Sequence, residues 1–147
     1  MITPSEFACV TISDWLSQFA AFGSATPAVI IYSDGVEIPR HAIVIQATSY
    51  DATEYRVTVE VSLVLDQADF TSDEHREAAS SLRNVLCPAA PRFQPGTPAL
   101  TCHPDFAAFA NQTAGRIFDL LSPIDTHANA DGRLTYLLEA QAVVVVN

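Results

Sequence analysis

The sequence predicts an α+β fold: a single antiparallel sheet of four or five strands, with two or three helices packed mainly on one face. Three observations carry this prediction. Residues 54–65 (EYRVTVEVSLVL) set Tyr55, Val57, Val59, Val61, Leu63 and Leu65 against Glu54, Arg56, Thr58, Glu60 and Ser62. A period of two places one apolar and one polar face on a long strand, whereas a helix would smear both sets around its axis. Residues 133–146 repeat the pattern, with Leu134, Tyr136, Leu138, Ala140, Ala142, Val144 and Val146 opposite Arg133, Thr135, Glu139 and Gln141. Two helix starts complete the picture. In Thr3-Pro4-Ser5-Glu6 and Thr71-Ser72-Asp73-Glu74 a threonine caps the helix and a glutamate three residues on reaches back to it.

Taken in order, the first helix is expected over residues 4–22, with Ala8, Ile12, Trp15, Leu16 and Phe19 at helical spacing and Gly23 as its stop. Trp15 reads as a core or interface anchor. Residues 28–32 (AVIIY) form a short strand closed by Ser33-Asp34-Gly35. Residues 42–50 form another, with Ile43, Ile45 and Ala47 on one face, and Asp51-Ala52-Thr53 turns it into the long strand. Strands joined so closely pair antiparallel, so residues 28–65 are expected to form a meander. The second helix carries Ala78, Ala79, Leu82, Val85 and Leu86 on one stripe, with Phe70 as a staple before its cap. It stops at Cys87 because Pro88 cannot continue the ladder.

Four prolines fall within residues 88–98, a stiff loop inside one domain that spans residues 1–147. Arg92 and Phe93 in this loop are candidate partner contacts, with Phe93 folded back onto its own domain as the equal alternative. A short helix is expected from His103-Pro104-Asp105 through Phe109 to Gly115. Residues 116–124 could continue the helix or form a strand, the strand being preferred because Gly115 and Pro123 bound them and a polar loop with an Asp131-Gly132 hairpin turn follows. The closing VVVV loses alternation, which points to burial on both sides or to a partner surface that includes Val143 and Val145.

The chain has 147 residues, 49% of them apolar, enough to bury a core without staples. It has no apolar run approaching the ~20 residues of a membrane span, and no basic stretch before an apolar run at its start. Its 17 acids face 7 bases, all arginine, for a net charge of −10. That balance argues against gripping nucleic acid or an anionic membrane through phosphates. Cys9, Cys87 and Cys102 lack CxxC spacing and read as reduced, buried thiols.

Chemistry is sparse. His41, His75, His103 and His127 are far apart and read as surface or capping residues rather than metal ligands. Asp66, Asp69, Asp73 and Glu74 lack the glycine and the ligand order of a calcium loop. Asp125, His127 and Asp131 read as an ordinary polar hairpin. No nucleophile, base and orienter can be named, and the five glycines offer no phosphate cradle. The expectation is a protein that is not an enzyme, with no catalytic, metal or cofactor-binding residue and no cofactor.

The order of elements resembles that of the tail terminator, or tail completion, proteins of long-tailed bacteriophages. The likeness rests on PAVIIYSDGVEIP before two paired strands, EYRVTVEVSLVLDQ, SDEHREAASSLRNVL and the closing DGRLTYLLEAQAVVVV. Residues 88–115 depart from that pattern. The resemblance implies a structural component of the virion tail or neck, assembled in the bacterial host cytoplasm. Copies would form a ring, commonly a hexamer, at the head-proximal end of the tail tube. The partners would be the tail tube protein and the head–tail connector protein, with DNA passing through unbound. The alternatives are another neck or tail-assembly protein, a binding module that uses the proline-rich loop, or a small enzyme built from scattered Asp and His.

Overall fold

The computed structural model describes residues 3–19, 27–86, 117–130 and 132–145. The chain runs α1 (Pro4–Leu16), β1 (Ala28–Ile31), β2 (Ala42–Asp51), β3 (Arg56–Asp66), α2 (Ser72–Leu86), β4 (Ile117–Ala130) and β5 (Arg133–Val145). The strands form one five-stranded sheet in the order β1-β2-β3-β5-β4. The two long alternating segments are neighbours at its centre, paired antiparallel from Arg56↔Val143 to Asp66↔Arg133.

The alternation sorts the two faces as the pattern dictates. Val57, Val59, Val61, Leu63 and Leu65 of β3 are buried with Leu138, Tyr136 and Ala140 of β5. Phe7, Ala8, Ile12 and Leu16 of α1 and Ala78, Ala79, Leu82 and Leu86 of α2 close over them in the same cluster. Both helices therefore cover one face. The other face carries Arg56, Thr58, Glu60 and Ser62 with half-buried Leu137 and Val143, and it buries Val44 and Val64 toward one end.

Both caps form. Thr3 Oγ1 accepts the Glu6 N–H at 3.2 Å. Thr71 and Glu74 exchange reciprocal bonds at 3.2 and 3.1 Å, which satisfies two donors that a helix start leaves orphaned. Helix α1 stops at Leu16, short of the expected 4–22. The Ser13 carbonyl takes both the N–H and the hydroxyl of Ser17, and the next bonds, Gln18 to Trp15 and Phe19 to Leu16, tighten to three-residue spacing. Gly23 and the rest of the expected stop lie outside the described residues, as do Cys87, residues 88–98 and the short helix expected from His103.

Four expectations are corrected. Strand β1 pairs with β2 in parallel, Ala28↔Ala42 to Ile31↔Ile45, so the sheet is mixed and residues 28–65 are no simple meander. The four residues of β1 span only ~13 Å, and the connection 32–41 is long enough to carry the chain back to the start of the sheet. Tyr55 leaves the apolar face of the long strand. Asp51 Oδ1 accepts the N–H groups of Thr53 and Glu54, so the turn extends to Tyr55, which is 52% exposed. His75 is buried rather than superficial, at 3% exposure. It precedes Ala78 and Ala79 by three and four residues, on the stripe that meets the core. The segment 125–130 is strand, not hairpin loop. Strand β4 continues to Ala130, which pairs with Arg133. Gly132 adopts φ +74° there, a value glycine takes at no steric cost.

Of the two readings open for residues 116–124, residues 117–124 take the strand, as part of β4. Pro123 sits where the β4–β5 register shifts, between Leu121 and Ile124. An edge strand tolerates proline because its outer N–H needs no ladder partner.

Candidate assembly surface

Among the described residues the sheet is open, with no strand beyond β1 or β4, and the two edges differ. Strand β4 is long, from Ile117 to Ala130, and β1 has four residues. On β1 the N–H groups of Ala28 and Tyr32 bond to His41 and Ile45 of the β2 side. The alternate residues Val29 and Ile31 therefore turn their backbone groups outward. Ile31 is 40% exposed, so the edge is accessible to another chain.

The residues singled out from the sequence distribute as follows. Val143 lies on the helix-free face of β5, half-buried, opposite Arg56 and Asp119. Val145 pairs with Ile117 near the end of the β4 edge. Arg92, Phe93, Cys102, His103 and Asp131 lie outside the described residues. Asp125 and His127 stand two apart on β4, opposite Leu138 and Tyr136. Cys9 is buried, as expected of a small apolar residue. Burial pushes its thiol pKa up, with a backbone hydrogen bond at Ala47 acting in the opposite direction, so the reactive thiolate is disfavoured.

The acidic residues around the second helix start hold structure together. Asp66 Oδ2 accepts from Arg40 Nε at 2.9 Å, and Asp69 Oδ2 lies 3.3 Å from the second Arg40 nitrogen. His41 Nε2 is 2.9 Å from Asp69 Oδ2, though without hydrogen-bond alignment. Its ring meets Phe70 edge to face at 5.0 Å. Asp66 Oδ1 also accepts the Ala68 N–H at 2.8 Å. That bond, followed by the one from Arg40, holds the Asp66 carboxyl below the usual carboxylate range. Together these contacts tie the 32–41 connection to the β3–α2 corner. Among the described residues, no group of three His, Cys, Asp or Glu side chains is placed to hold a metal ion.

Two further features escaped the sequence reading. On the helix-free face, β3 and β5 set Glu60 directly opposite Glu139. Neither forms an ion pair among the described residues. The register that creates this pair joins segments far apart in the chain, so no local pattern announces it. At the end of the β2–β3 hairpin, Tyr50 and Tyr55 are 43% and 52% exposed. Tyr55 has φ +57°, a left-handed conformation that costs a bulky L-residue roughly 1–2 kcal/mol. Its carbonyl accepts the Val144 N–H at 2.8 Å, which pins it there. Only the Tyr-Asp-Ala-Thr-Glu-Tyr sequence around the turn hinted at the pair.

No helix among the described residues is long and apolar enough to cross a membrane. In comparisons with known proteins, the chain matches no family model and no curated protein.

Proposed function

We propose that this protein is a structural subunit of a phage-type tail or neck, acting as a tail terminator: copies close into a ring at the head-proximal end of the tail tube. The observation that carries the reading is the open mixed sheet, with helices on one face, an exposed edge at β1 and β4 as the terminal strand at the other side among the described residues. Such a body associates laterally through backbone pairing and edge side chains, as a ring subunit must. The resemblance of its segments to the terminator family gives the location. The net charge of −10 supports it, because an acidic channel repels the DNA phosphates that must slide past it. The partners are further copies, the tail tube protein and the head–tail connector protein, and the site of action is the virion.

The test is sedimentation of the purified protein, alone and mixed with preassembled tubes of the tail tube protein encoded beside its gene. Rings of about six copies, or capture at one end of the tubes, support the reading. A monomer that ignores the tubes, or a gene neighbourhood without tail genes, overturns it.

A further inference from the structure

The left-handed backbone of Tyr55 closes the turn and bonds Val144, but that role does not call for a tyrosine side chain. Its side chain is exposed, and asparagine or glycine would adopt the same φ more readily. The Val144 bond accounts for the strain, so it is the choice of an exposed tyrosine at this position that points outward to a contact. Tyr50 stands on the other side of the same turn, also exposed. Tyrosines supply rigid amphipathic area at little entropic cost and are enriched where interfaces are anchored.

Beside the end of β1 lies an open cleft of about 350 Å3, lined by Ser5, Glu6 and Cys9 of α1, by residues 31–34 and by Gln46 and Ala47 of β2. That volume is at the low end for ligand clefts, roughly 300–1,000 Å3, and suits a side chain rather than a cofactor. Its chemistry is divided in the way a phenol requires. Cys9, Ile31 and Ala47 offer apolar surface, and Glu6, Asp34 and Gln46 offer acceptors for an O–H. A carboxylate at the mouth would repel a second acidic surface. The hairpin tip avoids that penalty, since Glu54 is paired with Arg56 at 3.3 Å and Asp51 Oδ1 is taken up by backbone N–H groups.

We infer that the Tyr50/Tyr55 hairpin tip of one copy docks into the cleft beside Cys9 of the next. This contact rests on the self-assembly reading above and names its lateral joint. Tip and cleft lie at the same end of the sheet, because β1 and β2 run parallel and β2 passes Ala47 four residues before Asp51. Joining them sets copies side by side. The contact is heterologous, tip into cleft, so it propagates around a ring until the ring closes.

Two variants test it. Tyr50→Thr/Tyr55→Asn removes the tip while relieving the strain at residue 55, so its Tm should be no lower than that of the wild type. Ser33→Trp fills the cleft from an exposed loop position. Each alone should weaken self-association by tenfold or more in analytical ultracentrifugation. Mixed, they should form one-to-one pairs that grow no further, since the tip variant keeps its cleft and the cleft variant keeps its tip. Association of both variants at wild-type strength overturns this contact and leaves the ring reading standing. A wild type that stays monomeric in solution yet loses tube capture with the tip variant also overturns it, by assigning the tip to the tube protein. A wild type that neither associates nor is captured removes the ring reading and this contact together.

Discussion

Trp15 and Val85 lock the two helices together: the indole Nε1–H donates to the Val85 carbonyl at 2.7 Å. Val85 lies in the last turn of α2, where carbonyls have no partner within the helix. Trp15 thus terminates one helix from another, while its ring packs edge to face with Phe19 at 5.3 Å. The bond explains why an indole occupies a position that apolar spacing alone would give to any large side chain. It also fixes the rotation of α2 over β5.

Replacing Trp15 by phenylalanine keeps an aromatic ring and deletes the donor. The Val85 carbonyl then loses a partner at a half-buried site. The expected cost is about 1–2 kcal/mol, read as a lower urea midpoint at unchanged slope. An unchanged midpoint would show that water replaces the indole without loss.

The two faces of β3 should respond oppositely to truncation. Leu63 is fully buried among both helices and the neighbouring strands, and Leu63→Ala should cost about 2–5 kcal/mol. Ser62, next in the chain, faces away from the helices, and Ser62→Ala should stay within about 0.5 kcal/mol of wild type. Similar losses for both, measured by chemical denaturation, would contradict the assignment of faces.

These faces are legible in the sequence, because side-chain alternation is local and the two long strands declare it over ten residues or more. The Thr71–Glu74 capping box and the Thr3 cap are legible for the same reason, being settled within four residues. Reading failed where distant groups decide the outcome. Four residues, Ala28–Ile31, state that β1 is a strand but not its direction, which the length of the 32–41 connection sets. Burial of His75 required knowing which stripe of α2 meets the sheet. The tyrosine tip required the Asp51 turn to be seen as longer by two residues. No local signal marks the cleft beside Cys9, since α1, β1 and β2 each contribute part of its wall.

Glu60 and Glu139 face each other across β3 and β5. Like charges directly opposite on an antiparallel pair destabilise it by roughly 0.2–1 kcal/mol. Glu60→Gln should therefore stabilise the isolated protein by that amount at low salt. The gain should shrink as salt is raised, because the pair is half-exposed and screened. Thermal melts at two ionic strengths check this. A destabilised variant would mean that Glu60 has a favourable partner instead.

The Arg40–Asp66 clamp predicts how stability follows pH. The Ala68 N–H and the Arg40 guanidinium hold the Asp66 carboxyl below its ordinary range, so the folded state favours the carboxylate more than the unfolded chain does. A lowered folded pKa gives stability that is fully present above the unfolded value of ~3.9 and is lost as pH falls through the folded one. Asp66→Asn should therefore melt below the wild type by a constant margin from neutral pH down to about 5. The margin should close as the solution is acidified below about 4, where the wild-type carboxyl also takes up its proton. Melting curves across that range decide the matter. A gap that widens with acid would mean that the native fold prefers Asp66 protonated, contrary to the bonds from Ala68 and Arg40.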